Sequence, residues 1–182
     1  MKFVTIFLAV ALLPLSAQDI KMPANLDKLA AKAEETVDVT LDSNLLKLAA
    51  KFVSGKDPDD VKIQKVISGL QSVVVKSFTF SSAGQYDPAD VNAVRAQVSA
   101  APWSRIVGVT SKKDGESVDV YFKDGGNGNL GGVVVLCAEP KELTIVSIMG
   151  TLDPSQLADL GGHFGVPELN IGAQLRELRN VK

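Results

Sequence analysis

Histidine, cysteine and tryptophan occur once each in this chain, and each scarcity excludes something. One cysteine, Cys137, closes no internal disulfide, and its place inside an apolar run reads as a core thiol. One histidine, His163, has no His or Cys at ligand spacing beside it, so a His-based metal site has nothing to build on. No Gly-x-Ser-x-Gly follows a strand signal, which removes the usual nucleophile of a Ser–His–Asp hydrolase. His163 stands among Gly161, Gly162, Gly165 and Pro167 and reads as a turn residue. Aromatic residues make up 5% of the chain and net charge is −2. Neither a base-stacking platform nor a basic footprint is present, so nucleic acid is not an expected partner. The Gly-rich stretch Asp124–Gly132 lacks calcium chemistry: an EF-hand count from Asp124 meets Gly126, Gly128 and Val135 where oxygen ligands belong. It also leads into a strand signal, not into a helix N-terminus that would cradle phosphate. A flexible hairpin loop remains.

What the chain does have is β pattern. Four runs rich in Val, Ile and aromatic residues cover Trp103–Ser111, Ser117–Lys123, Leu130–Ala138 and Glu142–Gly150, each set off by turn residues. That pattern predicts an antiparallel meander. Asp114-Gly115 suits a type I′ hairpin turn. Val118, Val120 and Phe122 alternate with Ser117, Asp119 and Tyr121, which predicts a half-buried strand with Asp119 toward solvent. Leu130–Ala138 and Leu143–Gly150 are apolar on both faces and should be central.

Upstream, Lys2 followed by the apolar Phe3–Leu15 and the small residue Ala17 reads as a secretory signal peptide cleaved before Gln18. The run is too short for an ordinary spanning helix. Asn25–Glu35 has helical spacing, with Leu26, Leu29, Ala30 and Ala33 on one side. Val37, Val39 and Leu41 alternate as a short strand. Ser43 can cap a helix reaching Ser54, with Leu45, Leu46, Leu48, Ala49 and Phe52 inward. Three Asp-Pro pairs, Asp57-Pro58, Asp87-Pro88 and Asp153-Pro154, each set an N-cap before a proline at the first helical position. Asp59, Asp60 and Asp90 thus have a helix-start role and not a catalytic one. The helix from Pro58 presents Val61, Val66, Ile67 and Leu70; the helix from Pro88 presents Val91, Val94 and Val98. Ser72–Phe80 reads as a strand. Its connection to Trp103 through a helix predicts that the two strands run parallel if they share a sheet. Ala173–Lys182 reads as a frayed helix or tail.

Trp103-Ser104-Arg105 is the one trio with the character of a partner anchor, since Trp and Arg are typical of such surfaces. The opposing reading places Trp103 in the core and pairs Arg105 with an acid such as Asp119.

Trp103–Val109, Lys112–Gly115 and Ala138–Thr144 together resemble a bacterial envelope family titled domain of unknown function four-two-five-two. Val37–Leu41, Leu45-Leu46, Ser77-Phe78 and Leu160–Gly165 are similar to it as well. The resemblance implies an exported protein and brings no catalytic residues. Many members look like lipoproteins; this chain has no lipidation cysteine in its leader, so no covalent membrane anchor is expected. Family genes described near sigma-factor and anti-sigma-factor genes imply a role in envelope signalling.

The sequence therefore predicts α+β: a mainly antiparallel sheet of about five strands with helices packed on it, a two-layer sandwich. Residues 1–17 form the leader, 18–42 a linker with a helix and strand, 43–167 the domain and 168–182 a tail. The expected function is a non-enzymatic binding or regulatory module, periplasmic or secreted, with a protein partner, no cofactor and no metal. Trp103 and Arg105 are its candidate partner-binding residues. The alternative is a small-ligand or lipid carrier with a pocket between sheet and helices.

Overall fold

The computed structural model describes residues 20–53 and 57–154. The expected leader, His163, the helix after Pro154 and the C-terminal tail lie outside them. Ten elements follow in order: α1 (Leu26–Leu29), β1 (Glu35–Leu41), α2 (Ser43–Phe52), α3 (Pro58–Gly69), β2 (Leu70–Thr79), α4 (Pro88–Gln97), β3 (Trp103–Ser111), β4 (Glu116–Asp124), β5 (Leu130–Glu139) and β6 (Glu142–Leu152). The strands form one open sheet of six, in the order β1-β2-β6-β5-β4-β3. Every neighbouring pair is antiparallel. The fold is α+β. The meander forms as expected, and β5 and β6 lie inside the sheet. Counting directions across the ladder, β2 and β3 point the same way, as the helical crossover through α4 requires.

The strand count is six rather than five because Glu35–Leu41 pairs with β2 along its whole length. That segment, read as preceding the domain, is an edge of its sheet. The same pairing shortens α1 to one turn. The Glu34 N–H donates to the Thr79 carbonyl at 2.8 Å, which commits the chain to the ladder where helix was expected.

Helices cover both faces, so the sheet lies between two layers rather than under one. On one face Leu26 and Leu29 of α1, Val91 and Val94 of α4 and its cap residue Val98 pack on Phe78, Tyr121, Val134, Leu136, Leu143, Ile145 and Met149. On the other, Leu46 of α2 and Ile67 of α3 pack on Val73, Val75, Val120, Val133, Val135 and Val146. Each large side chain buried this way contributes roughly 1.5–3 kcal/mol. Two apolar faces on β5 and β6 are thus explained by two helical layers.

Of the expected caps one forms as read, two differ, and the helix expected after Asp153 lies outside the described residues. Asp42, not Ser43, caps α2: its carboxylate accepts from the Asn44 and Leu45 N–H groups, both at 2.8 Å. Asp87 accepts from Ala89 N–H at 2.8 Å as expected. Asp57 precedes Pro58 but makes no side-chain cap bond. The α2 register also differs from expectation. Leu46 alone is fully buried, while Leu45, Leu48 and Phe52 are exposed.

The joints differ in one place. Gly115 alone has a positive φ in the Lys112–Gly115 connection, so it is not a type I′ turn. Ser111 and Asp114 close it instead, the hydroxyl donating to the carboxylate at 2.6 Å. Of the Asp124–Gly132 stretch only residues 125–129 are hairpin loop, its ends belonging to β4 and β5. Asp124 accepts from Gly126 N–H at 2.8 Å, and Gly126, Asn127 and Gly128 all take positive φ.

Candidate functional site

Trp103 and Arg105 sit on β3, the edge strand at the far end from β1. A β-bulge between Arg105 and Val107 changes which face each residue occupies. Trp103 and Arg105 point to the α4 face; Val107 and Val109 pair with Val120 and Val118 and point to the other. Unbroken alternation from Trp103 would put Val107 and Val109 on its own face, and the bulged residue is what separates them.

Trp103 is half-buried at the margin of the α4-side core. It heads a cross-strand row of Trp103, Lys123, Gly132 and Met149. Lys123 Nζ lies over the indole at 5.9 Å, within cation–π range. Gly132 provides the space for that ring: a Cβ there would stand 3.3 Å from Trp103 Cη2 and 2.7 Å from Met149 Sδ.

Arg105 is committed to a buried acid. Asp119 lies on β4 in the register position of Gly108, and its carboxylate is almost fully enclosed. Arg95, in the last turn of α4, donates to Asp119 Oδ2 from Nε at 2.9 Å and from Nη2 at 2.7 Å. Arg105 forms an ion pair with Oδ1, which has no hydrogen bond. Gly108 admits this geometry, since a Cβ there would sit 2.2 Å from the Arg105 guanidinium. The expected pairing of Arg105 with Asp119 is therefore present. The expectation that Asp119 faces solvent is corrected: α4 covers that face and supplies the second cation. A buried carboxylate is tolerable because both oxygens meet a guanidinium. Sequence reading missed Arg95, Gly108, Gly132 and Lys123. The packing of α4 brings Arg95 to the trio, and the bulge and strand register bring the other three.

The Cys137 thiol is pushed up to about 11 by burial and by the charges of Glu139, Glu142 and Asp119, so it is protonated and unreactive at neutral pH. Among the described residues no cluster of His, Cys, Asp and Glu could hold a metal ion. Among them, too, no helix is long and apolar enough to cross a membrane.

The family whose description is "Domain of unknown function (DUF4252)" matches residues 30–160. The chain belongs to the DUF4252 family. The match runs from before β1 to beyond β6, so the whole sheet of this DUF4252 chain falls within the family unit. No curated protein and no solved structure matches it.

Proposed function

We propose that this DUF4252 protein is an exported, non-enzymatic binding or regulatory module of the bacterial envelope, and that it meets a protein partner along edge strand β3. The observation that supports this reading is the division of labour on β3. Arg105 is spent on Asp119, whereas Ile106 and Val109 are exposed and Trp103 is half-exposed on the same strand. Apolar side chains along a sheet edge with free N–H and C=O groups offer both the pockets and the ladder that an added strand uses. Buried side chains pack sheet against helix on both faces, which supports the module over a carrier. Arg105 then serves the fold by tying β3 through Asp119 to α4, and Trp103 and Ile106 make contact.

Site-specific photocrosslinking in the native host tests it. A crosslinker at Ile106 should give a discrete protein adduct, and one at Lys32, beside the opposite sheet edge, should not. Trp103→Ala should weaken the adduct while leaving a cooperative melt, because a half-buried ring carries less of the fold than the roughly 3–5 kcal/mol of a fully buried one. Identical adduct patterns from both positions would defeat the reading.

A further inference from the structure

Helix α2 carries more large apolar side chains than its packing uses. Leu46 turns to the sheet. Leu45, Leu48 and Phe52 recur three and four residues apart and form a ridge on the solvent side, with Phe52 81% exposed. Val61 extends the ridge from α3. It lies one turn before Gln64, whose amide donates to the Val53 carbonyl at 2.7 Å and so holds that turn against the end of α2 bearing Phe52. A second ridge of Lys47 and Lys51 runs beside the first, and Lys65 is exposed on α3. None of these three lysines has an ion-pair partner among the described residues. No acid stands within α2; the nearest in the chain are its cap Asp42, whose carboxylate is turned to the Asn44 and Leu45 N–H groups, and Asp57, Asp59 and Asp60 at the start of α3.

We propose that α2 seats the protein on an anionic lipid surface. The exposed arc of the helix sets Leu45, Leu48 and Phe52 beside Lys47 and Lys51, with Asn44 between the rows, the composition of an interfacial helix whose Leu and Phe enter the acyl boundary while Lys reaches the headgroups. Charge decides between occupants. A second copy docked on the same ridge would bring two lysine rows together, whereas an anionic bilayer meets them with opposite sign. The surface is on the opposite side of the sheet from Trp103 and uses nothing of β3, so it stands apart from the partner reading.

The test uses the full chain in a Cys137→Ala background, with Phe52→Cys carrying an environment-sensitive nitrobenzoxadiazole label. The label reports on that position alone, so binding through another segment does not register. Vesicles of phosphatidylglycerol mixed with phosphatidylcholine should shift its emission to the blue and brighten it; pure phosphatidylcholine should not. Lys47→Glu and Lys51→Glu should each weaken the response about fivefold or more, the value of one cation at an anionic surface. Added salt should weaken it further. Silence on anionic vesicles overturns the proposal. So does an equal response on neutral vesicles, or one untouched by the lysine reversals. A blue shift that appears without lipid and grows with protein concentration also overturns it, in favour of a second copy.

Discussion

Asp119 and Lys76 are both buried on the α4 face of the sheet, and their surroundings are near opposites. Asp119 on β4 is a carboxylate between Arg95 and Arg105. Lys76 on β2 is an ammonium between Asp27 and Asp38, each at 2.9 Å. Each clamp ties one helix and one edge strand to the strand next to that edge: α4 and β3 in the first, α1 and β1 in the second. They differ in how wet the outer partners are. Side-chain exposure is 2% for Asp119, with 33% and 49% for its arginines. It is 10% for Lys76, with 71% and 51% for Asp27 and Asp38. Charge pairs open to water contribute little, whereas stripping partners from an enclosed charge is costly. The first clamp should therefore matter more to stability than its mirror image.

The largest expected effect follows directly. Arg95→Met removes both hydrogen bonds from Asp119 Oδ2 and leaves the enclosed carboxylate with Arg105 alone. A loss of about 3 kcal/mol in denaturant melts is expected, at the lower end for a broken buried pair. Lys76→Met removes the inner charge instead and leaves two carboxylates that already reach water. Its cost should be about 1 kcal/mol or less. Equal losses from the two substitutions would remove the distinction drawn between the clamps.

A smaller effect isolates the edge-strand half of the Asp119 clamp. A Cβ at Gly108 collides with the Arg105 guanidinium, the mobile end of a long side chain, so the arginine can swing away and break its ion pair. Gly108→Ala should cost on the order of 1–2 kcal/mol, a charge-assisted contact offset by the better strand propensity of alanine. The same substitution in an Arg105→Ala background should be neutral or stabilising. A double-mutant cycle reads the difference as coupling. Additive losses would mean that Gly108 serves the backbone and not Arg105.

The meander, the central place of β5 and β6 and the parallel sense of β2 and β3 were all legible in the sequence, because alternation and turn residues are local signals. Pairing of Arg105 with Asp119 was legible as a charge argument. The face of Asp119 was not. Ser117, Asp119 and Tyr121 look like a wet face by residue type, and only α4 arriving with Arg95 makes it dry. The bulge after Arg105 was equally hidden, since its extra residue, Ile106, is a good strand former. On α2, spacing alone gave an apolar arc wider than one core could use. Nothing in the sequence said that Leu46 would be its buried centre and Phe52 its exposed rim.

The smallest effect concerns pH and sharpens the comparison from the other side. Burial alone lowers the Lys76 pKa, but its hydrogen bonds to Asp38 and Asp27, and their charges, outweigh that and raise it above the ordinary 10.5. A raised folded-state value means that the folded protein holds the proton more tightly than the unfolded chain does. Stability from this source is fully present below about 10.5 and is lost as pH rises through the folded value. Cys137, also raised, weakens the fold in the alkaline range with the same sign, starting nearer its ordinary 9.0. It is common to wild type and Lys76→Met and cancels in their difference. That difference should be flat from about pH 7 to about pH 10 and then move against wild type at higher pH. Guanidinium melts of the two proteins across this range give the curve. A difference that stays flat to about pH 12 would show that Asp27 and Asp38 do not hold the Lys76 proton, and the second clamp would reduce to packing of its aliphatic stem.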